Sequence, residues 1–317
     1  MLPKVGGGLK GKAMSRFGLM LAVGAAGLMC GGATKAPFQD TLPLTKYLAQ
    51  AKPVKGDQRI SYGPSKSQYA DLFLPKNAKG PIPVVILVHG GCWSAMVPAE
   101  TTSANAADLA RGGVAVWNIE YRRIGEPGGG YPGMYEDVGA AFDKLRDLAA
   151  ANKLDLSRIT VVGHSAGGHL GLWGAARAKL PAGHKLRGTD PLPVRAAINL
   201  GGAPDIEHAA ELLPIACGPD TKLDAIIGAK SADRPDPFAD TSVNKLLPLG
   251  IRTRSIMGEF DDIIPPYIGL WWQRLSTRKG DDVDTTVIKG AGHFDLVAVS
   301  EPEWQQVRTL TLAEAKR

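Results

Sequence analysis

No large basic excess survives once the N-terminal segment is set aside. The 317 residues carry a formal net charge of +6, but four of those charges belong to Lys4, Lys10, Lys12 and Arg16, which share residues 1–34 with no acid. The two that remain are no electrostatic footprint for nucleic acid. Long apolar runs are missing as well. The N-terminal run "FGLMLAVGAAGLMC" is about 14 residues, short of the roughly 20 a membrane-spanning helix needs. Internal repeats, low-complexity tracts and a collagen-like or disordered bias are all missing, which leaves the composition of an ordinary globular protein. No linker splits the chain, so a single α/β domain over 35–317 is expected, and the sequence sets no oligomeric state.

Cysteine is sparse, with three in the chain. Cys30 falls in a leader-like segment: a basic stretch to Arg16 (with Met14 as an alternative start), the apolar run, then the small residues "GGAT". This pattern predicts a signal peptide over 1–34 and export to the periplasm or beyond, with no membrane span in the mature chain. Met29 stands where a lipoprotein needs a small residue, which disfavours lipidation at Cys30. Cys92 and Cys217 remain. In an oxidising compartment they either pair or stay as two buried thiols, and both readings stand at this level.

Along the chain, residues 35–58 show little period and read as an N-terminal arm. "RISYG" and "QYADLFLP" read as strands around the turn residues "PSKS". "PIPVVILVHGG" and "GVAVWNIEYR" are continuous apolar runs of the kind buried on both faces of a sheet. Residues 136–150 place Val138, Phe142, Leu145 and Ala149 at helical spacing. "RITVVGHSAGG", "VRAAINLGG", "IRTRSIMGEF" and "DTTVIKGAGHF" predict further strands. "GHLGLWGAARAKL", "PPYIGLWWQRLSTR" and "EPEWQQVRTLTLAEAKR" predict helices between and after them. Strand and helix alternate, so the fold class is α/β with a mostly parallel sheet covered on both faces. Residues 204–247 interrupt that rhythm with several prolines and Cys217, a length expected of a cap over a site.

The chemistry sits at the ends of the predicted strands. Gly163-His164-Ser165-Ala166-Gly167 matches G-x-S-x-G between a buried strand and a helix, the context of a nucleophile elbow. The bland alternative for Ser165 is a helix-capping serine on a glycine turn. "VHGGCW" ends an upstream strand, where the amides of Gly90 and Gly91, with that of Ala166, meet the need of acyl transfer for donors around a developing oxyanion. His89 reads as a brace for that loop, with Glu120 and Tyr121 behind it. "GEFDDIIPP" offers Asp261 and Asp262 as the acid; the G-x-x-D-x-x-[VI]-P pattern favours Asp261 and leaves Asp262 to solvent. His293 in "GAGHFDLV" alone among six histidines follows the acid, completing the order Ser165, Asp261, His293. His164 and His169 adjoin the serine but face away from the base position. Trp93 and Phe294 flank the oxyanion and histidine loops and are expected as substrate-pocket walls, with core packing as the alternative role for each.

"HGGCW", "EYRRIGEPGGGYPGMYEDV", "GHSAGGHL", "GEFDDIIP" and "GHFDLV" together resemble the α/β-hydrolases, over about residues 60–315. Within them the chain is similar to the esterase/lipase branch with an HGG oxyanion loop, including kynurenine-formamidase-like and feruloyl- or acetyl-esterase-like members. The resemblance implies an eight-stranded, mainly parallel sheet, a small-molecule ester as substrate, and a covalent serine mechanism without metal or organic cofactor. A formamidase or amidase, an exopeptidase, and a non-catalytic binding protein on the same fold are the competing readings.

Overall fold

The computed structural model describes residues 41–317. The expected leader at 1–34, with Cys30, lies outside the described residues. A short helix, α1 (Leu44–Gln50), leads into strands β1 (Gln58–Ser61) and β2 (Tyr69–Phe73). Then follow β3 (Ile82–Val88), α2 (Ser103–Arg111), β4 (Ala115–Ile119), α3 (Gly133–Asn152), β5 (Leu154–His164), α4 (Ala166–Ala176) and β6 (Ala196–Leu200). Three short helices, α5 (Ile206–Ala209), α6 (Leu213–Cys217) and α7 (Leu223–Ile227), fill the insertion. The chain closes with β7 (Arg252–Gly258), α8 (Pro266–Arg278), β8 (Val283–Ile288) and α9 (Pro302–Ala315).

The eight strands form one sheet in the order β1-β2-β4-β3-β5-β6-β7-β8. β1 and β2 are antiparallel to their neighbours, and every pairing from β4 to β8 is parallel. Parallel strands end on the same edge, so the segments after β3, β5, β7 and β8 converge there, where open α/β sheets bind ligands. The alternation of side chains explains the unbroken apolar runs. In β3, Val84, Ile86 and Val88 join a core with α3 and α4, while Val85 and Leu87 join the opposite core with α2 and α9. Each face of the strand is thus covered.

α3 buries Val138, Phe142 and Leu145 along one stripe, as their spacing predicts. Burying a side chain the size of Phe142 contributes about 2–3 kcal/mol. Two elements differ from the sequence reading. α2 has no counterpart there: it is amphipathic, but its buried residues include Ser103, Asn105 and Asp108 and only one large apolar side chain, Leu109. α1 occupies part of the supposed irregular arm; it buries Tyr47 alone and owes its place to that contact rather than to any period. The 204–247 insertion is held on the core by Leu213, Ile226 and Ile227.

Candidate active site

β5 runs into α4 through Ser165 at φ 55° and ψ −122°, a conformation that non-glycine residues adopt only where the surroundings enforce it. The enforcement comes from the absence of neighbouring side chains. A Cβ on Gly163 would lie 2.0 Å from the Gly167 carbonyl oxygen, and one on Gly167 would lie 2.2 Å from that of Val88. Ser165 Oγ makes no capping bond to α4, so the capping explanation of this serine fails. Ala166 is the first residue of α4, at the positive end of the helix where amides have no intrahelical partner.

Gly90 packs directly on the serine: a Cβ there would sit 2.9 Å from Ser165 Cβ. The HGG loop is braced from behind. His89 Nε2 donates to Glu120 Oε1 at 2.9 Å, and the Tyr121 hydroxyl donates to the His89 carbonyl at 3.1 Å. Glu120 Oε2 accepts the Ala99 amide at 2.9 Å, tying the loop to the start of the following helical segment. The expected bracing pair thus stands behind the loop.

On the other side of the serine, His293 Nδ1 donates to Asp261 Oδ2 at 2.7 Å, with both residues buried. Asp261 Oδ1 accepts the amides of Ile263 and Ile264, at 3.0 and 2.7 Å, which fixes the carboxylate's orientation. Asp262 is exposed and makes no such bond. Ser165 and His293 line one cavity of about 140 Å³. No hydrogen bond joins their side chains here, a common condition in hydrolases before substrate tightens the geometry.

The same cavity is lined by Gly90, Gly91, Phe294 and Ile263. It also takes in Leu44 and Tyr47 of α1, and Met96 and Val97 after the HGG loop. Tyr47 stacks on Phe294 with ring centroids 5.5 Å apart and donates its hydroxyl to the Thr101 carbonyl at 3.1 Å. Burial pushes the Tyr47 phenol up to about 12, so it stays a neutral donor at any physiological pH. Sequence reasoning missed α1 as a wall because seven residues with one buried side chain carry no periodic signal. Trp93 corrects the sequence reading in the other direction. Its φ of +56° swings the indole into the core, 3% exposed and edge-on to His169 at 5.8 Å, away from the cavity. The sequence offered Trp93 as a wall from chain adjacency alone.

The two histidines flanking the serine are structural. His164 Nε2 donates to the His293 carbonyl at 3.1 Å, so it steadies the loop that presents His293. Burial, with the neighbouring His293 imidazole, holds His164 well below the usual histidine range. His169 Nε2 donates to the Thr241 carbonyl at 2.7 Å, and burial pulls its pKa down to about 4. A histidine buried neutral favours unfolding in acid, because the unfolded chain takes up a proton near 6.5 that the fold refuses. Its contribution is intact above pH 6.5 and is lost as pH falls, by about 3 kcal/mol at pH 4. Urea melts of wild type and His169→Gln at pH 7.5 and 4.5 check this. The variant should show a smaller acid loss, and equal losses would remove His169 from the account.

Fold and site together define an α/β-hydrolase: a mostly parallel eight-stranded sheet, a strained serine elbow after a central strand, and an acid–histidine pair after β7 and β8. The BD-FAE family model matches residues 70–247, more than half of the chain. The chain belongs to that family. It is 34% identical to a probable isoprenylcysteine alpha-carbonyl methylesterase of Arabidopsis thaliana over 111 residues, 35% of this chain and 23% of that protein. It is 29% identical to esterase LipC of Mycobacterium tuberculosis over 252 residues, 76% of this chain and 60% of that one. The chain thus spans about a quarter of the first relative and three fifths of the second. A phosphonate-inhibited esterase B of Lactobacillus rhamnosis superposes with a TM-score of 0.70 at 19% identity, covering 86% of this chain and 91% of that one. At that identity the likeness is one of fold.

Proposed function

We propose that this chain is an exported serine esterase that cleaves small carboxylic esters through an acyl-enzyme. The observation that carries the reading is the buried His293–Asp261 bond beside an uncapped serine on a strained elbow, all opening on one cavity. Ser165 Oγ attacks the ester carbonyl as His293 takes its proton, and Asp261 keeps the imidazole in the tautomer whose Nε2 is free to accept it. The amides of Gly90, Gly91 and Ala166 receive the oxyanion, where donors already in place stabilise charge that appears only in the transition state. His293 then protonates the departing alcohol, and a water activated by the same histidine releases the acid.

The small, apolar cavity favours short acyl groups: Val97, Ile263 and Phe294 offer contact without hydrogen-bonding partners. Names of similar proteins support ester chemistry, since each is called an esterase or methylesterase. Export rests on the leader-like N-terminus and agrees with the disulfide described below. Among the described residues, no helix is long and apolar enough to cross a membrane.

A fluorophosphonate probe followed by peptide mapping, with a p-nitrophenyl ester series, tests the reading. The label should fall on Ser165, and kcat/KM should be highest for acetyl and butyryl esters and decline with chain length. A label elsewhere, or no turnover of any ester, would overturn it.

A further inference from the structure

Cys92 and Cys217 form a disulfide, with Cα atoms 5.6 Å apart, across 125 residues of sequence. One end follows the HGG loop directly and the other closes α6 in the insertion. Both cysteines, with Met96, line the catalytic cavity on one side and a second groove of about 480 Å³ on the other. That groove adds Ser94, Asp220, Thr221 and Lys222 to a lining that also includes Ile124, Pro219 and Ala225. The bridge therefore stands between two adjoining spaces.

Gly91, Cys92 and Trp93 have φ of +110°, +53° and +56°, three left-handed residues in succession, two of them not glycine. Non-glycine residues enter that region only under constraint. Trp93 is constrained by burial and by the Ile124 amide on its carbonyl at 2.8 Å. Cys92 has the bridge, together with the turn that the Ser94 amide closes on the Gly91 carbonyl at 2.9 Å. On the far side, the hydrogen bonds of residues 214–224 all stay local, such as Ala216 N to Leu212 O and Thr221 N to Gly218 O. Leu223 and Cys217 pack on the core beside Leu213, and the bridge adds a covalent tie from the cavity-facing stretch at Ala216–Cys217 to the HGG loop.

We propose that the Cys92–Cys217 disulfide is a positioning and specificity element of the active site. It holds the Gly91 amide in its oxyanion-binding orientation and keeps the catalytic cavity closed off from the neighbouring groove. This rests on the esterase reading above. Reduction by a dithiol transfers two electrons and two protons to the bridge, leaving two thiols and the reductant's own cyclic disulfide. The loop then relaxes and the two spaces merge.

The test compares the oxidised protein, the dithiothreitol-reduced protein and Cys217→Ser on p-nitrophenyl acetate and p-nitrophenyl octanoate. Reduction should lower kcat for acetate by about tenfold or more, within the range set by disturbing one oxyanion donor. The octanoate-to-acetate ratio of kcat/KM should rise about threefold or more as the wall opens. A bridge that only stabilises the fold would leave both readouts in place. Unchanged kcat and an unchanged chain-length profile in both forms overturn the proposal and leave the esterase reading standing. Loss of far-UV circular dichroism on reduction also overturns it, since the bridge is then a staple for the whole fold. If the oxidised protein cleaves no ester, the esterase reading fails, and the rate of Ser165 phosphonylation by the fluorophosphonate decides instead. Slower labelling after reduction supports a positioning role; an unchanged rate sinks it.

Discussion

Ser165→Ala should lose about 10⁴–10⁶-fold in kcat on p-nitrophenyl acetate and all fluorophosphonate labelling. The chain should melt within about 1 kcal/mol of wild type. The two halves of that expectation have separate physical sources. Oγ makes no hydrogen bond to α4, so its removal leaves no orphaned group in the fold. The strained φ and ψ at 165 are set by the contacts of Gly163 and Gly167, and alanine meets the same backbone constraint as serine. Catalysis, by contrast, has no other nucleophile at that point of the cavity. Residual turnover would come from the oxyanion amides acting on water alone. Activity within tenfold of wild type, with labelling persisting, would move the nucleophile to another residue.

Asp261→Asn should lower kcat/KM by about 10⁴-fold, while Asp262→Asn stays within a few-fold of wild type. The contrast is sharp because two adjacent, chemically identical carboxylates differ only in where the chain puts them. Asp261 Oδ2 accepts from His293 Nδ1 at 2.7 Å, and its other oxygen is occupied by two backbone amides. An asparagine in that position keeps its carbonyl on those amides and turns its NH₂ toward Nδ1. The imidazole must then place its hydrogen on Nε2, the atom that has to accept the serine proton. Asp262 faces solvent, where neutralising it alters little. Steady-state kinetics on one short ester resolve the pair; equal losses, or a reversed order, would reassign the acid.

Much of this architecture was legible because it is written in local pattern. The β3 run "IPVVILV" had to be buried on both faces, and its residues do divide between two cores. The glycines at 163 and 167 announced a turn too tight for side chains, and the contacts a Cβ would make there explain why. A mostly parallel sheet followed from strand–helix alternation, and its eight strands from the resemblance to the α/β-hydrolases. Helix α2 escaped because its buried side mixes Ser103, Asn105 and Asp108 with two alanines and one leucine, so the residue types there do not read as a core face.

Within the cavity the division is different. Chain adjacency suggested Trp93 as a wall, but consecutive left-handed residues rotate it into the core. Adjacency suggested Phe294 too, and there the side chain does line the cavity, stacked on Tyr47 from a helix with no periodic signal. Side-chain direction depends on φ at a few irregular positions, and no pattern of residue types encodes that.

Residue order and type alone established an α/β sheet, a serine elbow, an upstream glycine loop and a late aspartate and histidine. These follow from steric and hydrophobic rules that act over a few residues and repeat along the chain. Whether Cys92 meets Cys217, which of two adjacent aspartates holds His293, and that Leu44 and Tyr47 close the cavity were decided only by the folded chain. Each depends on distances between segments far apart in sequence, which the packing of the whole sheet and its helices sets.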